Sequence, residues 1–535
     1  MEIPIFLTGE DLDLNTLVQV ARSVSGNIQL AADAVQRMQA SLDWVRRIQK
    51  HGTPVVYGIN TGFGSKSSVT ISRQKLQALQ RNLVMSHSAG VGEPFPVEVV
   101  RAAMLLRANT LAKGYSGIRP EVVDRLLQML NRGVTPWVPS QGSLGASGDL
   151  APLAHIAQVL CHSCQESSVV ARAFWYDHEE GRWVLLSARE ALTRAGIQPI
   201  QLEAKEGLAL TNGTQISTAL LALACNDAIN LAKCADIAMA MSLEALQGLS
   251  SAFRETLHRL RPHPGQLATA ENIRRLVAGS RLLDTKPEKV QDAYSLRCHP
   301  QVMAGVRDTL QFVQHTLAIE MNSTNDNPII FSEAEGGGEA ISGGNFHAQP
   351  IAFAADYLTI ALAEIGSIAE RRVFRLSDKN LNEGLPSFLA RQSGLESGLM
   401  IAQYTAASLV AENRTLCYPA SVQSIPTCEN QEDHVSMAPV AGRKARQVLQ
   451  NVQKIVAIEL LYAAQALDLR ARQQGAQTPL ELVGTGTARA YQKVRSVVPF
   501  LEQDRPLSPD ILLLQELVAS GGLVQAVEEV IGPLK

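Results

Sequence analysis

Apolar residues recur at three- and four-residue steps over most of this chain, and runs of strict alternation are scarce. Leu14, Leu17, Val18 and Ala21, then Ala31, Ala34, Val35 and Met38, carry that step through residues 12–52. These read as packing helices that stop at His51-Gly52. Residues 101–111 read as an amphipathic helix and 187–196 as a short one. Past Asn212 the helical period takes over for long runs, to about Leu249 and then over 301–322, 344–375, 399–416 and 441–469. Ile351, Ala354, Leu358, Leu362, Ile365 and Ala369 show the step, and the opposite face of that segment is also fairly apolar. Such a helix is expected to be buried inside a bundle or an oligomer. Residues 165–183 mix charges of both signs with Trp175, Tyr176 and Trp183 and read as a surface excursion. Residues 474–477 and 504–509 read as linkers around a last helical layer ending near Gly532.

Length and composition narrow this picture. A chain of 535 residues is too long for one ordinary core. The expected division is an N-terminal region over 1–200, a central long-helix bundle over 201–472 and a C-terminal helical layer over 473–535. Ala and Leu dominate, which favours helix. A net charge of −3 gives no electrostatic case for nucleic acid or an anionic membrane. The N-terminus, Met1-Glu2-Ile3-Pro4, lacks a basic region followed by an apolar core, so no secretory signal is expected. The apolar run near 217–225 is broken by Asn226, Asp227 and Lys233, too soon for a membrane span. Seven scattered cysteines read as reduced thiols in a cytoplasmic protein. Cys161 and Cys164 enclose His162 in a C-x-x-C, but no second pair stands at zinc spacing, so packed thiols are expected there and no metal site.

Five polar, glycine-rich or acidic stretches interrupt the helices. Gly142-Ser143-Leu144-Gly145-Ala146-Ser147-Gly148-Asp149-Leu150-Ala151-Pro152-Leu153 is the first in importance. It is not the nucleophile elbow of a serine hydrolase, because Gly148 directly follows Ser147. Tyr57-Gly58-Ile59-Asn60-Thr61-Gly62-Phe63-Gly64 is a loop without phosphate-loop spacing. Ser86-His87 closes a helix before Gly90. Gln291-Asp292-Ala293-Tyr294-Ser295-Leu296-Arg297-Cys298 presents a guanidinium suited to a carboxylate. Glu429-Asn430-Gln431-Glu432-Asp433-His434 is an acidic run without the H-x-x-x-H spacing of a metal site.

Together these stretches resemble the aromatic amino acid ammonia-lyases, along nearly the whole chain. The resemblance implies a mainly α fold of fumarase/aspartase-like architecture, with a long central helical bundle and an N-terminal region that bears an electrophile. It implies that Ala146, Ser147 and Gly148 close, with loss of two waters, into 4-methylideneimidazol-5-one. Ser147 would supply the methylidene, and Gly148 leaves its nitrogen unhindered. Tyr57 is the implied base, and a phenol that titrates near ~10 in water must have its pKa lowered to serve. Asn212 would stabilise charge at the ring carbonyl and Tyr294 would stand beside the ring. Gln291 and Arg297 would hold the substrate, Arg297 by its carboxylate, with Phe346 as a wall and Gln431 in the binding set.

Specificity rests on His87 and Glu432. Ser86-His87 resembles the histidine-specific members, and a carboxylate at 432 suits a ring N–H donor and suits an apolar phenyl badly. The expected reaction is removal of ammonia from L-histidine to give trans-urocanate, with no metal, nucleotide or added cofactor, in a homotetramer with shared sites. Three alternatives stay open. The same electrophile serves tyrosine or phenylalanine ammonia-lyases and tyrosine aminomutases, which 413–415 and 261–266 partly resemble. A catalytically dead scaffold like the argininosuccinate-lyase group, and a zinc protein through Cys161, His162 and Cys164, are the others.

Overall fold

Long helices dominate because alanine and leucine fill whole turns, so that little of each helix surface asks for water. The structure, a computed structural model, describes residues 4–66, 68–167, 171–392 and 394–535. Among them, four helices exceed twenty residues: Gln215–Ala245, His299–Glu320, Gln349–Ser377 and Ala438–Gln473. The last, at 36 residues, is about 54 Å long. Gln349–Ser377 is apolar enough to span a bilayer by length, yet 67% of its most apolar window is buried within the protein.

The chain divides into two compact units, each drawn from three stretches. One comprises Met1–Leu223, Gln314–Ala355 and Pro419–Arg443; the other comprises Ala224–Val313, Asp356–Tyr418 and Lys444–Lys535. Four of the five boundaries fall inside the four long helices, and the fifth, between Tyr418 and Pro419, lies just past the helix Met400–Leu416. The contiguous segments 1–200, 201–472 and 473–535 therefore do not coincide with these units, because a helix that keeps one hydrophobic period carries no sequence mark where its neighbours change.

In the first unit, short helices and small sheets surround the site. Strand Ile5–Leu7 pairs in parallel with Ile28–Leu30, and Val91–Pro94 pairs with Pro139–Gln141. The stretch expected as a surface excursion instead forms a hairpin, Arg172–Asp177 against Arg182–Ser187, with Val134–Pro136 on its edge. Its aromatics explain the difference. Tyr176 faces Trp183 across the strands with ring centroids 5.3 Å apart, and the Arg194 guanidinium lies 5.2 Å from the Trp175 ring. Residues 168–170 of that stretch, and residues 1–3 used for the N-terminal reading, lie outside the described residues.

The helix Val97–Ala112 departs from the expected amphipathic pattern, being buried from Val99 to Ala112. Its arginines made the sequence look two-faced. Both are sunk in the core, with their heads taken by carbonyls that helix ends leave unpaired. Arg101 donates to Leu130 O and Val20 O at 3.2 Å, and Arg107 donates to Asn212 O at 2.7 Å. A fully buried ion pair, Lys205 Nζ to Asp326 Oδ2 at 2.6 Å, ties the segment before Asn212 to the polar turn 322–328.

The second unit holds its own buried polar network. His299 Nε2 lies 2.9 Å from Asp236 Oδ1, Arg307 donates to Asp236 Oδ2 at 2.6 Å, and Arg372 donates to Glu459 Oε2 at 2.8 Å. Arg372 also donates to Ser295 O at 3.3 Å, within the short helix Tyr294–Arg297.

Candidate active site

The segment Ala146-Ser147-Gly148 is bent by glycines and clamped from both sides. Gly145 and Gly148 have φ of +65° and +74°, where a side chain is strained. A Cβ on Gly148 would stand 2.3 Å from Gly213 O, and one on Gly145 would stand 2.3 Å from Ser436 Oγ. The Asp149 amide donates to Gly213 O at 2.7 Å. Ser436 Oγ donates to Gly145 O at 2.9 Å, and Met437 N donates to Leu144 O at 2.8 Å. The helix Leu150–Leu160 starts directly after this bend.

Asp149 is the anchor that the sequence reading missed. It is fully buried and accepts from Ser143 Oγ at 2.9 Å and from Ser217 N and Oγ at 2.8 and 3.0 Å. Burial pushes its carboxyl up to about 6, and these donors hold it back from going further. The signal was present as an aspartate at the foot of an apolar helix, but only the fold brings Ser217 to it.

Asn212 Nδ2 donates to Ser147 O at 2.9 Å. Its own carbonyl is gripped by Arg107, which also donates to Gln215 Oε1 at 2.9 Å. On the other side, Ser147 Oγ donates to Glu432 Oε1 at 2.7 Å, and Thr427 Oγ1 donates to Glu432 Oε2 at 2.8 Å. Cys428, Glu429 and Asn430, between Thr427 and Glu432, all have positive φ, so this loop folds tightly back on itself.

Around Ser147 lies a cavity of about 650 Å³, within the range of small-molecule sites. Tyr57, Phe63, Lys66, Asn82, His87, Leu208, Asn212, Cys428 and Glu432 are among its walls. A second cavity of about 300 Å³ shares Ser86, His87, Leu150 and Glu432 with it and reaches Ala146 and Gly148. The Tyr57 loop is held at its base. Val56 and Ile59 sit in a buried cluster with Trp44, Val45, Ile48 and Ile330, and Asn60 Oδ1 accepts from Val56 N at 2.7 Å. Gly64 N donates to Tyr57 Oη at 3.2 Å.

The electrostatics differ between the two ring-bearing residues. Burial pushes the Tyr57 phenol above its usual range, and Cys428, Glu432 and Asp326 push the same way, against the Gly64 amide alone. The lowering that a base at neutral pH requires is therefore not supplied by these neighbours. Burial also lowers the pKa of His87, which keeps its imidazole neutral.

The remaining predicted site residues lie elsewhere. Gln431 is exposed, and its amide donates to Cys428 O at 3.0 Å. Phe346 is half-buried just ahead of the helix Gln349–Ser377, and neither residue lines the cavity. Gln291, Tyr294 and Arg297 belong to the second unit. Gln291 and Tyr294 are exposed, Tyr294 by 69%. Arg297 donates to Asp292 O at 2.9 Å and lies 4.6 Å from the Tyr294 ring centroid. Among the described residues no group of three or more His, Cys, Asp or Glu is arranged to hold a metal ion.

Comparison with known proteins follows this geometry. The sequence model of the aromatic amino acid lyases matches residues 12–496. A relative named histidine ammonia-lyase, from Natranaerobius thermophilus, is 48% identical over 99% of this chain and 100% of its own. The crystal structure of histidine ammonia-lyase from Trypanosoma cruzi superposes with a TM-score of 0.87 at 39% identity, covering 98% of this chain and 95% of that one. Tyrosine aminomutase from Streptomyces globisporus gives 0.89 at 39% identity, with 99% of each chain covered.

Proposed function

Because this chain belongs to the aromatic amino acid lyase family, we propose that it is a carbon–nitrogen lyase that removes ammonia from L-histidine to give trans-urocanate. One observation carries the reading: a single cavity gathers Ser147, Tyr57, His87, Asn212 and Glu432 from five separate stretches of chain. The full-length relatives named histidine ammonia-lyase, at 48–50% identity, support the substrate.

The residues at 146–148 fit the self-formed ring. Closure joins Gly148 N to Ala146 C and expels that carbonyl oxygen as water, and the Ser147 hydroxyl leaves with the Cα proton as a second water. Glycine is required at 148 by its φ of +74° and by Gly213 O, which leaves no room for a Cβ. The Ser147 carbonyl, which becomes the ring carbonyl, already accepts from Asn212. Once formed, the ring supplies an exocyclic carbon that takes the substrate amine and makes it a better leaving group.

The chain's own groups do the rest. Tyr57 Oη takes the β-proton, the electron pair forms the new Cα=Cβ bond, and ammonia departs. Asn212 Nδ2 stabilises the charge that gathers on the Ser147 oxygen. His87 and Glu432 flank the imidazole.

Gln291, Tyr294 and Arg297 reach the site from a neighbouring subunit of a homotetramer in this reading. Two features support it. The cavity lining offers an amino acid carboxylate no arginine. The second unit leaves Phe312, Tyr357, Ile360, Ile401 and Tyr404 between 45% and 61% exposed on its helices, apolar surface of the kind that a neighbouring subunit would cover. The partner subunit's Arg297 would then bind the carboxylate and also bring the cation that the Tyr57 phenol lacks. The seven unpaired cysteines fit a cytoplasmic protein.

The test is parallel incubation with L-histidine, L-tyrosine and L-phenylalanine, followed by absorbance, since urocanate, coumarate and cinnamate absorb at different wavelengths. Release of urocanate, lost in Ser147→Ala, is the expected result. Coumarate or cinnamate without urocanate would overturn the substrate, and wild-type activity in S147A would overturn the mechanism.

A further inference from the structure

Ser86 is the residue whose role the reading above leaves open, although it lines both cavities beside His87. Its hydroxyl donates to Leu83 O at 3.2 Å, one turn back in the helix Leu76–His87. The same Oγ lies 3.0 Å from His87 Nδ1. A serine hydroxyl has one proton and two lone pairs. Both contacts are hydrogen bonds at once only when the hydroxyl donates to Leu83 O and accepts from an Nδ1–H, because a hydroxyl turned toward Nδ1 leaves two oxygens facing each other at 3.2 Å. The neutral ring then has a bare Nε2, which has no partner among the described residues.

The same cavity offers a second acceptor, the Glu432 carboxylate. In the open chain its Oε1 is occupied by the Ser147 hydroxyl. That hydroxyl is the one lost on ring closure, which frees the oxygen for substrate. A neutral imidazole placed between two acceptors has one N–H to give and one bare nitrogen that meets a lone pair. An imidazolium has two N–H groups and satisfies both.

We infer that Ser86 is a positioning residue that locks His87 as the Nδ1–H tautomer, so that the site takes the substrate ring in its doubly protonated, imidazolium form. This rests on the L-histidine reading and extends it to a charge state. It also aids the chemistry. A positive ring draws electrons from the adjoining Cβ and makes the β-proton easier for Tyr57 to remove, and the Glu432 charge balances it in the site.

The test compares L-histidine with L-β-(1,2,4-triazol-3-yl)alanine, a ring of the same size that stays unprotonated at neutral pH and carries bare nitrogens. It uses the full-length wild type, Ser86→Ala and Ser86→Thr. Ser86 is exposed, so its truncation does not threaten folding. In the wild type the analogue's KM should exceed that of L-histidine by about tenfold or more, the cost of facing a built acceptor with an acceptor. S86A frees His87 to present Nε2–H instead. The gap should then narrow to below about threefold, with KM for L-histidine rising about fivefold and kcat changing less. S86T keeps a hydroxyl at the same place and should keep the wild-type gap. A gap under about threefold in the wild type, or one that S86A leaves unchanged, overturns the inference. A wild type that releases no urocanate at all overturns the reading on which it rests, and not this step.

Discussion

Replacing Asn212 removes one hydrogen bond from the atom on which charge collects, so its cost can be worked from the geometry. Asn212 Nδ2 sits 2.9 Å from Ser147 O, and its main chain is fixed independently by Arg107 at 2.7 Å. Asn212→Ala should therefore leave the backbone in place and strip only the donor. A preorganised donor of this kind is worth about 2.7–4 kcal/mol in the transition state, or roughly 10²- to 10³-fold in kcat. KM should move little, because the bond strengthens only as charge develops. Asn212→Asp keeps the shape and swaps the donor for an acceptor, so it should be at least as damaging and separates loss of the donor from creation of a cavity. Stability should fall by about 1 kcal/mol in the alanine variant, the net worth of a hydrogen bond to a part-buried carbonyl. The assay is steady-state release of urocanate, with thermal unfolding as a control and peptide mass to show that cyclisation is intact. If Asn212→Asp keeps kcat within threefold of the wild type while its ring is formed, the donor role is refuted.

Three further outcomes follow from other parts of the fold. Gly148→Ala places a Cβ 2.3 Å from Gly213 O at a φ of +74°; the peptide spanning residues 146–148 should stay two waters heavier than in the wild type, with no measurable ammonia release. Lys205→Met strands Asp326 in a fully buried site and should cost about 3–5 kcal/mol in chemical denaturation, most of it recovered when Asp326 is also made apolar. Glu244 accepts from Gly484 N at 2.7 Å, and burial pushes its carboxyl up to about 7. The native state thus binds more protons than the unfolded chain between about 4.5 and about 7, and stability drains away as pH rises through that window. Glu244→Gln should remove that loss, so thermal unfolding scans should show the variant gaining on the wild type by up to about 3 kcal/mol as pH passes 7 and no gain at pH 4.5.

The helices were legible wherever one period held long enough to average out local chemistry. Gln349–Ser377 and Ala438–Gln473 lie within a few residues of where the apolar steps put them. The reading slipped where a polar side chain was buried by a partner far away in sequence. Arg101 and Arg107 looked like the wet face of a helix, because nothing in residues 101–111 tells that Leu130 and Asn212 offer carbonyls there. The hairpin 172–187 was hidden by its charges, since cross-strand pairs such as Tyr176 with Trp183 are contacts between positions and not a period along one strand. The site residues were legible as motifs, and their supports were not. Asp149 and Thr427 hold Ser217 and Glu432 in place, yet each reads in sequence as an ordinary turn or helix-end residue, and Ser86, legible beside His87, gave no sign of its contact with Nδ1 of that ring.

That difference between a motif and its supports is sharpest at Tyr57. Its loop can be recognised from eight residues, but a base is defined by its surroundings. Here burial and three acidic neighbours favour the neutral phenol, and one backbone amide opposes them. Taken together, these neighbours do not lower the phenol's pKa toward the neutral range. The cation that sequence reading assigns to the same reaction, Arg297, belongs to the other unit beside an exposed Tyr294. In the proposed reaction the base belongs to one unit and the group that activates it to the other, and the proposed assembly brings the two together through the partner subunit's Arg297. Under that proposal assembly is a condition of the chemistry, and the apolar helix faces left open on the second unit would bear on the Tyr57 proton as much as on the quaternary structure.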